Sequence, residues 1–239
     1  MKLLVIDLSH WETVTDWDEV KEMDLDGVYM KATERHNYTD ASFNAFRKGF
    51  KSIGVPWGAY HFYDPRYTGL VQSKHFTDVL TGDWGGLPPC LDFEPKYIRQ
   101  ADGQLIPPPP RAGCLSAIKL FLNDVEIKTG IKPIIYTNPD HIHYLKPVPA
   151  WLLEYKLWIA DYKNEMTPDI EPWKSWVMWQ FSGAGHIDGI DGAVDMNHVS
   201  DDFIGGVTPP GATLLEWANK VDQFLRDKIN YGGVRPPKE

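Results

Sequence analysis

Apolar and β-branched residues gather in eight short runs, at residues 3–7, 27–31, 57–62, 90–94, 133–137, 157–160, 177–181 and 193–197. Each is of strand length. Between the early runs the period lengthens to that of a helix. Phe43, Phe46, Phe50 and Ile53 fall three to four apart within residues 40–53, one face of a helix closed by Gly54. Thr15 or Asp16 is placed to cap a helix over residues 17–23, and residues 69–80 and 111–129 read as two more, the last ending at Gly130. After Thr137 the spacing shortens, so the final strands are expected to be joined by loops. Eight strands with helical crossovers predict an α/β fold. The expectation is a single irregular TIM-like β/α barrel, with about five β/α units followed by three β-strands.

Two proline-rich stretches interrupt the pattern. Residues 102–110 end in four consecutive prolines and read as a rigid loop, since proline suits neither helix interior nor central strand. Residues 205–211 read as a linker. The expected division is therefore a barrel over 1–207 and, over 208–239, a linker, an amphipathic helix carrying Leu214, Trp217, Val221, Phe224 and Leu225, and a tail.

Bulk properties narrow the function. The chain has 239 residues and a formal net charge of −9, which argues against a nucleic-acid partner, since phosphate binding needs clustered Lys and Arg. No apolar run approaches the ~20 residues of a membrane span, so no membrane insertion is expected. The run of apolar residues before the first acidic residue, Asp7, is only four long (Leu3–Ile6), too short for a secretory signal. The two cysteines, Cys90 and Cys114, are expected as buried thiols rather than a bridge. The ten tryptophans suit a carbohydrate partner, because pyranose C–H faces pack on aromatic rings, although each alone reads more simply as core.

The chemistry lies at the strand ends, where barrels place their catalytic groups. The first run ends in Asp7, the fourth in Asp92-Phe93-Glu94, and the eighth ends near Asp195. Residues i and i+2 of a strand share a side, so Asp92 and Glu94 are expected to project together with Phe93 turned away. Paired carboxyls are what glycoside hydrolysis uses, one giving a proton to the leaving oxygen and the other remaining charged. Alone, D-x-E is a common pattern. The histidines, His61 among them, lack metal-ligand spacing, and no metal or cofactor is expected.

Several segments, taken in order, resemble glycoside hydrolase family 25, the Chalaropsis-type lysozymes of bacteria and phage endolysins. Val5-Ile6-Asp7-Leu8-Ser9 resembles the family's D-x-S strand, Lys31-Ala32-Thr33-Glu34 its K-A-T-E segment, and Gly58-Ala59-Tyr60-His61-Phe62 its G-x-Y-H-F strand. Asp92-Phe93-Glu94 matches D-x-E, and the strand of Tyr136 follows. Leu157-Trp158-Ile159-Ala160-Asp161-Tyr162 resembles L-W-I-A-x-Y, Trp176-Val177-Met178-Trp179-Gln180 resembles W-x-x-W-Q, and Gly192-Ala193-Val194-Asp195-Met196-Asn197 resembles G-x-V-D-x-N. The departures are the 102–110 insert and the neighbourhood of His10-Trp11, where the family often has Gln.

The resemblance implies an N-acetylmuramidase that cuts β-1,4 bonds between N-acetylmuramic acid and N-acetylglucosamine of bacterial peptidoglycan, by a retaining route. It implies Glu94 as general acid/base, Asp92 assisting at the reacting sugar, and Asp7 and Asp195 completing the acidic group. It implies glycan contacts from Tyr60, Tyr136, Trp158, Trp179, Gln180, Lys31, Glu34 and His61. The expected setting is that of a phage endolysin, made in the cytoplasm without a signal peptide, acting on the cell wall, and favoured as a monomer. Two rival readings are a non-catalytic glycan-binding barrel and a chitinase-like glycosidase. The second lacks its usual D-x-x-D-x-D-x-E run around residues 91–95.

Overall fold

A computed structural model describes residues 3–95, 98–99, 105–163, 166–200 and 203. Eight strands, β1 (Leu3–Leu8), β2 (Gly27–Glu34), β3 (Trp57–Phe62), β4 (Cys90–Asp92), β5 (Ile134–Thr137), β6 (Leu157–Ala160), β7 (Met178–Gly185) and β8 (Val194–Val199), pair in sequence around a closed barrel. Neighbours from β1 through β7 run parallel, whereas β8 is antiparallel to both β7 and β1. Five helices lie in the connections: α1 (Trp17–Glu22), α2 (Phe43–Ile53), α3 (Gly69–Leu80), α4 (Arg111–Thr129) and α5 (Pro139–Tyr144). The expected five β/α units and three closing strands are present.

Local chemistry explains the helix ends. The Asp16 carboxylate accepts the Asp18 and Glu19 amides at 2.8 and 3.1 Å and starts α1. Gly54 and Gly130 close α2 and α4 in the left-handed conformation, where a side chain would be strained. Asn138 caps α5 through the His141 amide. This short helix completes the fifth β/α unit.

Along each strand, side chains alternate between two apolar regions. Ile6, Leu8, Met30, Leu91, Ile135 and Ile159 face the helices. Val5, Tyr29, Cys90, Ile134, Trp158 and Met178 fill the barrel interior. Tyr29 and Trp158 meet within it, ring centroids 4.9 Å apart. Gly58 leaves them room, since a Cβ there would fall 2.6 Å from the Tyr29 ring. Burial on both faces is normal for parallel strands covered by helices. Cys90 and Cys114 are both buried free thiols.

Three details differ from the sequence reading. Strand β4 ends at Asp92, so Glu94 stands beyond it. Asp195 lies near the start of β8 rather than at a strand end; β7 and β8 form an antiparallel hairpin, which turns the start of β8 toward the same rim as the other strands' ends. In the proline-rich insert, Leu105–Ile106 pairs with Ile98–Arg99 as a small antiparallel ribbon instead of remaining wholly loop. The expected linker and terminal helix lie outside the described residues.

Candidate active site

The rim formed by the ends of β1 to β7 and the start of β8 encloses a cleft of about 200 Å³. Its lining includes Asp7, Lys31, Tyr60, Asp92, Glu94, Tyr136, Trp158 and Asp195. Eight of the twelve residues expected at the site are thus brought together.

Asp92 is buried and Glu94 half-buried. Between them, Phe93 donates its amide to the Tyr136 carbonyl (2.9 Å), and its own carbonyl accepts from the Thr137 hydroxyl (3.0 Å). With its ring locked into the outer core, Phe93 fixes the backbone so that both flanking carboxyls reach the cleft. The strand alternation continues one clamped residue past the formal end of β4.

Asp7 lies opposite Asp195 in the β1–β8 register. One Asp7 oxygen accepts from the Gln180 amide at 2.9 Å and from the Asn197 amide at 2.8 Å. Gln180 in turn accepts from the hydroxyls of Tyr136 (2.8 Å) and Tyr162. Asn197 accepts from the Trp158 indole at 2.7 Å. This network sets the orientation of both amides and aims two N–H donors at one carboxylate.

Burial, and then the charge of Asp195, push the Asp7 carboxyl well above the usual range despite those donors. Burial likewise raises Asp195 to about 6, helped by the charges of Glu12 and Glu94 and opposed by its hydrogen bond with Asp7. The two carboxyls face each other closely enough that each one's charge raises the cost of ionising the other, so they titrate as a pair. Burial first, then Asp7 and Asp92, also drive the Tyr60 hydroxyl well up, so it stays protonated as a donor. Lys31 is the cation of the cleft wall, 2.8 Å from Glu34 and 4.7 Å from the centroid of the Phe62 ring.

The other four expected contacts lie elsewhere. Gln180 is buried outside the cleft lining, held by its bonds to Asp7, Tyr136 and Tyr162. Glu34 stands outside the cleft lining, tied to Lys31 and Arg35. Trp179 turns outward, its indole donating to the Asp161 carbonyl at 2.9 Å within the outer core. His61 also turns outward, between Thr33 (2.7 Å) and Gln72 (3.1 Å) and stacked on Phe121. Both point away because each immediate neighbour, Gln180 or Tyr60, takes the inward position. Burial pushes the His61 imidazole down to about 3, so it stays neutral.

Ser9, Trp11 and Phe62 complete the lining, with Tyr162 and Asn197 in support, and none had been assigned a role. Glu12 was also missed. Its carboxylate accepts the Ser9 amide at 2.7 Å and adds negative charge near Asp195. The one sequence signal for it was the absence of the expected Gln near Trp11. Among the described residues, no group of three or more His, Cys, Asp or Glu side chains is arranged to hold a metal.

Residues 6–190 match the family model for glycosyl hydrolases family 25. Uncharacterized protein YegX of Escherichia coli strain K12 is 32% identical over 203 residues, an alignment covering 80% of this chain and 67% of that protein. The autolytic lysozyme of Clostridium acetobutylicum is 28% identical, covering 92% of this chain and 62% of that protein. The crystal structure of the bacterial lysozyme from Streptomyces coelicolor superposes with a TM-score of 0.74 at 25% identity, over 87% of this chain and 97% of that one. With the family model spanning most of the barrel and an acidic cleft at its mouth, this chain belongs to the glycosyl hydrolases of family 25.

Proposed function

We propose that this chain is a lysozyme of the N-acetylmuramidase type, a peptidoglycan hydrolase cutting the β-1,4 bond between N-acetylmuramic acid and N-acetylglucosamine. The observation that carries the reading is the convergence of Asp92, Glu94, Asp7 and Asp195 in one cleft of a family 25 barrel. In this reading Glu94 gives its proton to the glycosidic oxygen as its bond to the anomeric carbon breaks, and a water then adds to that carbon, giving a proton back to Glu94. Asp92 supplies the fixed negative charge that steadies the cationic, oxocarbenium-like sugar. The raised proton affinity of Asp7 and Asp195 limits the negative charge that builds up in the cleft as pH rises. Tyr60 and Lys31 offer donors to the glycan. The place of action is the bacterial cell wall, in an endolysin-like setting.

The test is clearance of purified cell walls, with mass analysis of the fragments. New N-acetylmuramic acid reducing ends are expected. Ends in N-acetylglucosamine would point to a glucosaminidase, and binding without release would leave only a glycan-binding barrel.

A further inference from the structure

We propose that Trp11 is a stacking platform for a pyranose ring of the glycan, at a subsite across the cleft from Glu94. The inference rests on the functional reading above and adds a binding residue to it. Trp11 lines the cleft yet is 78% exposed. A lone exposed apolar side chain is ordinary. Of the described large hydrophobics that stand exposed, however, only Trp11 belongs to this lining.

The platform is built rather than loose. Behind the indole lies the His10 ring, centroids 4.6 Å apart. The His10 Nδ1 is 2.8 Å from an oxygen of Asp40, a fully buried carboxylate that also accepts the His10 amide. Glu12 clamps the same turn through Ser9. The following residues, Thr13–Val14, pair with Ile190–Asp191. The backbone on both sides of Trp11 is held while its indole is left open. Such preorganisation lowers the ordering cost of binding. The chemistry fits a sugar: polarised C–H groups on one face of a pyranose meet the electron-rich face of an aromatic ring.

Topology fixes the location. Trp11 follows β1 and Glu94 follows β4, three strands around an eight-stranded mouth, so the two stand on nearly opposite sides. A glycan resting on Trp11 therefore crosses the mouth, and the stacked ring is not the one whose oxygen receives the proton.

The probe is the peptide-free tetrasaccharide of alternating N-acetylglucosamine and N-acetylmuramic acid. In Glu94→Gln protein, which holds the glycan without turning it over, the indole N–H signal of Trp11, assigned by its loss in Trp11→Phe, should shift on titration. In the active enzyme, Trp11→Ala should raise KM for this glycan about tenfold, well beyond any fall in kcat, and Trp11→Tyr should recover most of the loss. Removing the support with His10→Ala should raise KM about threefold. An enzyme that cleaves the glycan normally, with the Trp11 signal unmoved and KM unchanged in Trp11→Ala, overturns the platform alone. Absence of both binding and cleavage in the unaltered protein overturns the functional reading, and the platform with it.

Discussion

Asp7 and Asp195 sit directly opposite each other where the barrel closes, two acids facing across one antiparallel pair of strands. Their proximity costs stability whenever both are charged. Asp195 holds its proton up to about pH 6 in the folded protein, whereas a free aspartate releases it near pH 3.9. Between those values the folded state binds the extra proton, so stability falls as pH rises from about 4 to about 6 and stays lower above. Asp195→Asn removes the penalty and gives Asp7 another amide donor. At pH 7.5 it should stabilise the protein by on the order of 1 kcal/mol, the partial exposure of Asp195 having been discounted, and the gain should vanish at pH 4. Thermal melting at the two pH values checks this; a lower midpoint at pH 7.5 contradicts it.

His61 pulls the other way. Its folded value of about 3 lies below the roughly 6.5 of a free histidine. As pH falls from about 6.5 toward 3, the unfolded chain takes up a proton that the folded chain refuses, so stability is lost on acidification. His61→Gln should flatten this acid limb. It should also cost about 1–3 kcal/mol at neutral pH through disturbed buried hydrogen bonds and leave KM for the glycan unchanged. Denaturation midpoints from pH 4 to 7 measure the slope; a raised KM would return His61 to the glycan.

Gln180 ties three groups together by donating to Asp7 and accepting from Tyr136 and Tyr162. Gln180→Leu strands them, at about 1–3 kcal/mol for each buried group left without a partner. Gln180→Glu keeps the acceptor but sets another negative charge against Asp7, so it should be more destabilising at pH 7.5 than at pH 5. Urea titration at both values separates the two effects.

A Cβ on Gly69 would lie 2.0 Å from the Ala117 carbonyl oxygen and 2.7 Å from the Phe121 amide nitrogen, both backbone atoms of α4. Neither can swing aside, so Gly69→Ala must push α3 off α4. A cost of about 1–3 kcal/mol is expected. Gly113→Ala is the control, since the nearest atom there is 3.9 Å away. Equal melting temperatures for the two variants would refute the close approach.

Glu94→Gln should fold normally and lose activity by about 10²–10⁴-fold, the usual worth of general acid catalysis. Asp92→Asn should lose activity too, through missing charge rather than a missing proton. Cell-wall clearance rates beside melting curves decide the matter. Full lysis by folded Glu94→Gln protein sinks the acid assignment.

The strands were legible in the sequence because each is a short apolar run bounded by turns. Which side of a strand faces inward was less so. With helices outside and a packed interior, Trp179 and Gln180 are both buried, and alternation of apolar with polar no longer marks the inner face. His61 and Trp179 were misplaced for that reason. Asp92 and Asp7 were placed by their position at strand ends, where a buried charge needs a reason. The reversal of β8 leaves no mark in composition, and the nearness of Glu12 to Asp195 arises only where the chain folds residues far apart in sequence together.

The first described residue of β1, Leu3, pairs with Val199, the last of β8. Both lie at the end of the barrel remote from the cleft. A circularly permuted version that keeps Phe203, which is buried in the interior core, could link these two strands and open new ends at an exposed loop, keeping every barrel pairing. For the same reason, anything fused just before Leu3 starts from the far pole and need not stand in the path of an incoming glycan strand.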